Sequence, residues 1–224
     1  MSTTIRELEP KEVWNRFADI NAVPRPSKKE QKITAFMVDF GKKLGLETTS
    51  DAYGNVIIRK PATAGLENKK PIILQSHLDM VCQKNNDTVF DFDNQGIETY
   101  IDGDWVRAKG TTLGADNGMG VAAIMAILES KTIAHPALEA LFTTDEETGM
   151  TGAQKLSNDA LKGEILLNLD TELDTEIEIG CAGGIDVSAY ADYKEEATPA
   201  DVVAYHIVVT GLLGGHSGME IHLG

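Results

Sequence analysis

Val13, Trp14, Phe17 and Ile20 fall on one helical face behind Pro10, a residue suited to a first helical turn, and predict a helix to about Ile20. Ile33, Phe36, Met37, Phe40 and Leu44 repeat the helical spacing, with SKKE (Ser27 to Glu30) as a capping box and Gly45 as the stop. The pattern then changes. Strands are predicted over residues 56–59, after the Tyr53-Gly54-Asn55 turn, and over 71–76, and YIDGDWVRAKG reads as a hairpin turning at Asp102-Gly103. A helix of small residues follows over 117–130, an apolar strand over 138–144, a short helix over 151–156 and a strand over 164–169. Strands alternating with helices, several of them apolar throughout, predict an α/β domain with a sheet covered on both faces by helices.

From Gly180 the character shifts. GCAGG is a glycine-rich hinge, and residues 187–193 and 202–210 alternate apolar with polar as antiparallel strands do. A boundary near Gly184 therefore divides residues 1–183 from 184–224, where a second, smaller α+β domain begins.

Composition narrows the function classes. The formal charge of −15 over 224 residues leaves no basic face for a phosphate backbone and excludes a nucleic-acid partner. Cys82 and Cys181 are too few for a disulfide framework or a cysteine-rich zinc site. The first residues lack the apolar core of a signal peptide and no run is long enough to span a membrane, so a cytoplasmic location is expected.

In an open α/β sheet, sites form beyond the carboxyl ends of strands. Four segments place candidate ligands there: IILQSHLD gives His77 and Asp79, LEALFTTDEE gives Asp145, Glu146 and Glu147, EILLNLD gives Asp170, and GTTLGADNGMG gives Asp116 in a glycine-rich turn before a helix. Singly, each has an ordinary explanation as a turn histidine, a solvated acidic loop or a helix-starting turn. Four such segments converging on one sheet edge, in a chain with only five histidines, favour a metal centre. A phosphate loop fits poorly, since Asp116 occupies the turn and no Lys or Arg lies between Gly110 and Gly120. A calcium loop over 170–178 fails because Thr175 stands where glycine is required. Two divalent ions in a hydrolase sit roughly 3.5–4 Å apart and share a carboxylate. Asp116 is central enough to bridge, His77 and Asp170 could serve one ion, and Glu147 the other. Asp79 would hydrogen-bond the imidazole and orient it. Of the adjacent glutamates, one would bind metal and the other would take a proton from the attacking water.

HLDMVCQKN, GTTLGADNGMG, TTDEETGMTGA, LLNLDTE, GCAGGID and GGHSGMEIH follow one another from about Val56 to the last residue, and with them the chain resembles the M20 metallopeptidase family. The resemblance implies a zinc-peptidase-like catalytic domain with an inserted lid domain that also mediates homodimerisation. It assigns His77, Asp116, Glu147 and Asp170 as metal ligands with Asp116 bridging, Asp79 as the orienting acid and Glu146 as general acid/base. His216, in GGHSG, becomes the lid histidine that reaches the dimer partner's site and helps hold the substrate carbonyl or the developing oxyanion. His135 and His206 acquire no role beyond structure, and His222 none. The implied cofactors are two divalent ions, zinc first, with cobalt or manganese as alternatives. The implied substrates are dipeptides of the Xaa-His type, including carnosine-like ones. A tripeptidase, an N-acyl-amino-acid hydrolase or a non-catalytic metal-binding module remain alternatives. The family's last histidine ligand lies far downstream of Gly224, so the resemblance implies that this chain holds the first part of each domain and is inactive alone.

Overall fold

The computed structural model describes residues 4–171, 173, 175–180, 183, 185, 187–212 and 222. They divide into two units, Met1–Glu176 and Ile177–Gly224. The first unit holds helices α1 (Lys11–Asn21), α2 (Gln31–Lys43), α3 (Ala115–Glu129), α4 (Glu146–Gly149) and α5 (Thr151–Lys155). Its strands are β1 (Glu47–Ser50), β2 (Val56–Lys60), β3 (Ile72–His77), β4 (Thr99–Asp102), β5 (Trp105–Ala108), β6 (Leu138–Thr143) and β7 (Ile165–Asn168).

The apolar stripes read from the sequence are the ones that are buried. Phe17 and Ile20 of α1 and Ile33, Met37 and Phe40 of α2 enter one core with Val56, Ile58, Leu74, Ile124 and Phe142. Helix α2 ends at Gly45 as expected. With φ at +71°, Gly45 takes the left-handed conformation, its N–H donates to Lys42 O, and the Leu46 N–H reaches back to Gly41 O. The start of α2 departs from expectation. No side chain caps it, because the Ser27 hydroxyl donates to Asp79 Oδ2 at 2.8 Å and Glu30 Oε1 accepts the N–H groups of Lys28 and Asp145. Long-range partners outcompete the local capping box.

The main sheet runs in the order β1-β2-β6-β3-β7. β1 and β2 are antiparallel, as are β2 and β6, while β3 runs parallel to both β6 and β7. The chain moves from β3 to β6 on one side and then to β7 on the other, so β3 stands at a topological switch point, where open α/β sheets bind ligands. Helices α1, α2 and α3 cover one face. On the other, Ile57, Ile73 and Leu141 pack under Leu156, Ala160 and Leu161. β6 is buried along its whole length, as its apolar run predicts.

Three further expectations are corrected. β4 and β5 pair Asp102 with Trp105, so the hairpin turns at Gly103-Asp104, one residue later than predicted. β7, read as a buried strand from its apolar run, is exposed, because it pairs with β3 on one side and has no second neighbour among the described residues. In the second unit, residues 187–193 and 202–210 form no strand, and no ladder partner for them exists among the described residues. Alternation makes a strand only where another strand takes up its backbone hydrogen bonds. No described helix is long and apolar enough to cross a membrane.

Candidate metal centre

β3, β6 and β7 present their carboxyl ends at one edge of the sheet, and the candidate residues follow from that. His77 is the last residue of β3 and is buried, with its ring facing the start of α3. Nε2 donates to Asp116 Oδ1 at 3.0 Å, while Asp170 Oδ2 lies 3.8 Å and Glu146 Oε2 4.0 Å from the same nitrogen. On the other side of the ring, Nδ1 lies 3.1 Å from the Asp79 carbonyl and 3.3 Å from Asp79 Oδ1.

Asp116 enters from a turn that glycine shapes. Gly114 has φ at +72°, and the two residues Asp116 and Asn117, joined by a cis peptide bond, are non-helical before α3 becomes regular. Asn117 is buried and its amide donates to Asp170 Oδ1 at 2.7 Å and to Leu169 O at 3.0 Å. The chain turns at the end of β6, as the predicted strand end near 144 requires. Asp145 takes a left-handed conformation, φ +56°, and Glu146 and Glu147 form the first turn of α4. Asp79 accepts both of their N–H groups, Oδ1 from Glu146 at 3.0 Å and Oδ2 from Glu147 at 3.2 Å. One helical turn therefore aims both carboxylates at the site, where a regular strand would have pointed them apart.

Six of the seven predicted site residues thus come together: His77, Asp79, Asp116, Glu146, Glu147 and Asp170. His216 lies outside the described residues. Among the remaining histidines, His135 is buried against the Pro136 carbonyl at 2.7 Å and His206 is exposed. Ser27, Glu30 and Asn117, which hold Asp79, Asp145 and Asp170 in place, were not singled out from the sequence. The only signal for the first two was SKKE, which mimics a capping box.

The electrostatics of the cluster call for a cation. Burial raises the Glu147 carboxyl to about 7, with the Asp116 charge adding to it, and burial likewise pushes Glu146 and Asp170 upward. Burial also works against charge on His77, yet hydrogen bonds to Asp116 and Asp79 and the field of Asp170 prevail and raise it to about 10. Asp79 falls to about 2: burial opposes its charge, but the bonds from His77, the Glu146 N–H and Ser27 outweigh it. The acids raise the tendency of His77 to carry positive charge, and a bound cation would balance the same acids. The donor set fits one. Ligand atoms of His77, Asp116 and Glu147 lie within 4.8 Å of one another, as do those of His77, Glu146 and Asp170. One imidazole among carboxylates suits zinc and its first-row neighbours. Glu30, Asp79 and Asp145 form a third such cluster, fully buried, whose carboxylates are already engaged by backbone N–H groups and hydroxyls.

A family model described as peptidase family M28 matches residues 55–203, about two thirds of the chain, and takes in each of these six residues. The chain belongs to peptidase family M28. It is 49% identical over 220 residues to the cytosol non-specific dipeptidase of Escherichia coli K12, covering 98% of this chain and 45% of that protein. Among solved structures, the M28 fold matches an aminoacylhistidine dipeptidase from Vibrio alginolyticus with a TM-score of 0.75 and 51% identity, over 76% of this chain and 35% of the other. Aminopeptidase PepT from Bacillus cereus ATCC 10987 matches with a TM-score of 0.61 and 26% identity, over 72% and 43% of the respective chains. The chain spans about half the length of the curated relatives it matches.

Proposed function

We propose that this chain carries the metal centre of a dipeptidase that hydrolyses Xaa-His dipeptides with two divalent ions, zinc by preference. The convergence of five potential ligand side chains on the switch point of an M28 peptidase fold carries this reading. His77, Asp116, Glu147 and Asp170 would hold the ions, with Asp116 between them. When bound, such ions polarise the scissile carbonyl and lower the pKa of the attacking water. Glu146 would take the proton and return it to the leaving amine; burial, the first cause, raises its pKa, which eases the protonation that this exchange requires. Asp79 fixes the His77 ring and, through the two N–H groups it accepts, the glutamates.

The names of the relatives support a dipeptidase and differ in breadth. One is called a non-specific dipeptidase, which favours a wider dipeptide range, and the other an aminoacylhistidine dipeptidase. The finer assignment to M20 rests on the motif order from HLDMVCQKN to GGHSGMEIH. On that assignment, residues 1–183 belong to the catalytic domain and 184–224 begin a lid and homodimerisation domain that places His216 on the oxyanion. A cytoplasmic location is supported by the Escherichia coli relative's name. The test uses full-length protein, zinc analysis and a panel of Xaa-His, other dipeptide and tripeptide substrates. We expect two zinc ions per chain, hydrolysis of dipeptides with Xaa-His fastest, and loss of metal and activity together in Asp116→Ala. Two tightly bound ions in Asp116→Ala would overturn the bridging role, and equal rates on all dipeptides would leave the broader specificity.

A further inference from the structure

Arg25 lies in the segment between α1 and α2 and is 1% exposed. We propose that Arg25 is a positioning residue that locks the Asp116 turn to the loop after His77 and thereby sets the separation of those two ligands. Its Nη1 donates to the carbonyl oxygens of Leu78 and Asp79, each at 3.1 Å, and its Nη2 to Gly114 O at 2.5 Å and Asn21 Oδ1 at 3.4 Å. Leu78 and Asp79 directly follow His77, and Gly114 stands two residues ahead of Asp116. One planar group therefore grips the roots of two ligand segments that are far apart in sequence, and the 3.0 Å contact between His77 and Asp116 spans the gap it holds.

Arg25 is itself anchored, since its carbonyl accepts the Met80 N–H at 3.2 Å and Pro26 bridges to Met80. The site makes room for it. A Cβ on Gly114 would lie 2.3 Å from Nη2, and one on Gly118 would lie 2.8 Å from it, so both glycines keep the guanidinium's path open. Only arginine offers several donors in a rigid planar fork. A lysine ammonium brings the charge without that geometry. Burial lowers the guanidinium to about 10, opposed by the charges of Asp79, Asp116 and Glu147, and it stays cationic at neutral pH. A buried charge is tolerated where its hydrogen bonds and counter-charges are in place. Here three carbonyls and Asn21 Oδ1 take the Nη groups and the acids of the metal centre supply the counter-charge, while the buried Nε has no partner among the described residues.

The inference rests on the metal-centre reading, and its test separates the two. Full-length wild type, Arg25→Met and Arg25→Lys are compared for zinc affinity by chelator competition and for melting temperature. Arg25→Met is expected to fold and to bind zinc about 10–100-fold more weakly, the range typical of groups that support metal ligands. Arg25→Lys, charged but unable to span both segments, is expected to lose at least about 10-fold. Unchanged zinc affinity in folded Arg25→Met, with only the melting temperature lowered, would make Arg25 merely structural and overturn the proposal. Wild-type affinity in Arg25→Lys would show that charge suffices and would also overturn it. Should Arg25→Met not fold, Arg25→Lys decides by the same measurement. Wild type that binds no zinc would instead bring down the metal-centre reading.

Discussion

His77 ends a strand with neighbours on both sides and is buried, whereas Asp170 follows β7, whose residues are exposed and whose far edge has no partner among the described residues. Both strands open on an apolar run, IILQSH against ILLN, so the difference comes from position in the sheet. The two banks of the centre are consequently held by different means. On the first bank, burial and a dense set of hydrogen bonds converge on Asp79, which ties His77 to the glutamates. On the second, Asp170 relies on strand pairing and on one buried amide from the facing helix, Asn117. Among the described residues, the carboxylate that follows the exposed strand is braced by a side-chain amide, whereas His77 on the buried strand is held by the core.

The largest expected effect tests the division of labour on the buried bank. Glu146→Gln should retain both metals and lose turnover by about 10²–10⁴-fold, the usual weight of a general base. Glu147→Gln should instead lose affinity at one metal site. Metal content and kcat measured together on both variants check this, and the opposite pattern would exchange the two roles.

The pair of glutamates also shows where the sequence was legible. Their presence beside His77, Asp116 and Asp170 followed from strand ends alone, because a parallel sheet gathers its carboxyl ends on one edge. That both could face the site followed from the chain turning there; the means did not, since it depends on the left-handed conformation of Asp145 and on N–H bonds to Asp79, a partner 67 residues away from Glu146. Helices with long stripes, such as α2, were readable because the apolar period is local. Ser27 and Glu30 misled because the same residues can cap a helix or reach across the fold, and no local feature distinguishes the two. β7 misled for a related reason: an apolar run states that a strand can be buried and says nothing of where in the sheet it lies.

That last point makes a stability prediction about the two strands. Phe142 in β6 is fully buried, between Val56 and Ser76 in register, and Phe142→Ala should destabilise by about 3–5 kcal/mol, the cost of emptying a large aromatic site. Leu167 in β7 is 47% exposed, and Leu167→Ala should stay below about 1 kcal/mol, as exposed substitutions do. Urea unfolding measures both, in the 224-residue chain, to which the exposure of β7 belongs, and in the full-length protein. A Leu167→Ala cost near that of Phe142→Ala would mean that β7 is covered in the intact protein and that the two banks are more alike than their strands suggest.

The smallest expected effect compares the braces themselves. Asn117→Ala removes the 2.7 Å bond to Asp170 Oδ1, leaving that carboxylate tied to its exposed strand through the bond from its own N–H to Asn168 Oδ1. The carboxyl is then held from its side chain only by its neighbours Asp116 and His77, and more of the entropy of fixing it must be met when metal binds. Zinc affinity should fall by about 10–100-fold at one site. Ser27→Ala removes a bond of similar length, 2.8 Å, from Asp79 Oδ2. There the Glu147 N–H still holds the same oxygen and the Glu146 N–H holds the other, and Asp79 is 0% exposed, so the carboxylate has nowhere else to turn. The loss in Ser27→Ala should be only a few-fold, below the about 10-fold floor expected where a ligand loses its one amide brace. Chelator competition on the two variants side by side measures the contrast. Equal losses would show that neither the redundant hydrogen bonds nor the burial of Asp79 protects the first bank, and the comparison between the banks would fail.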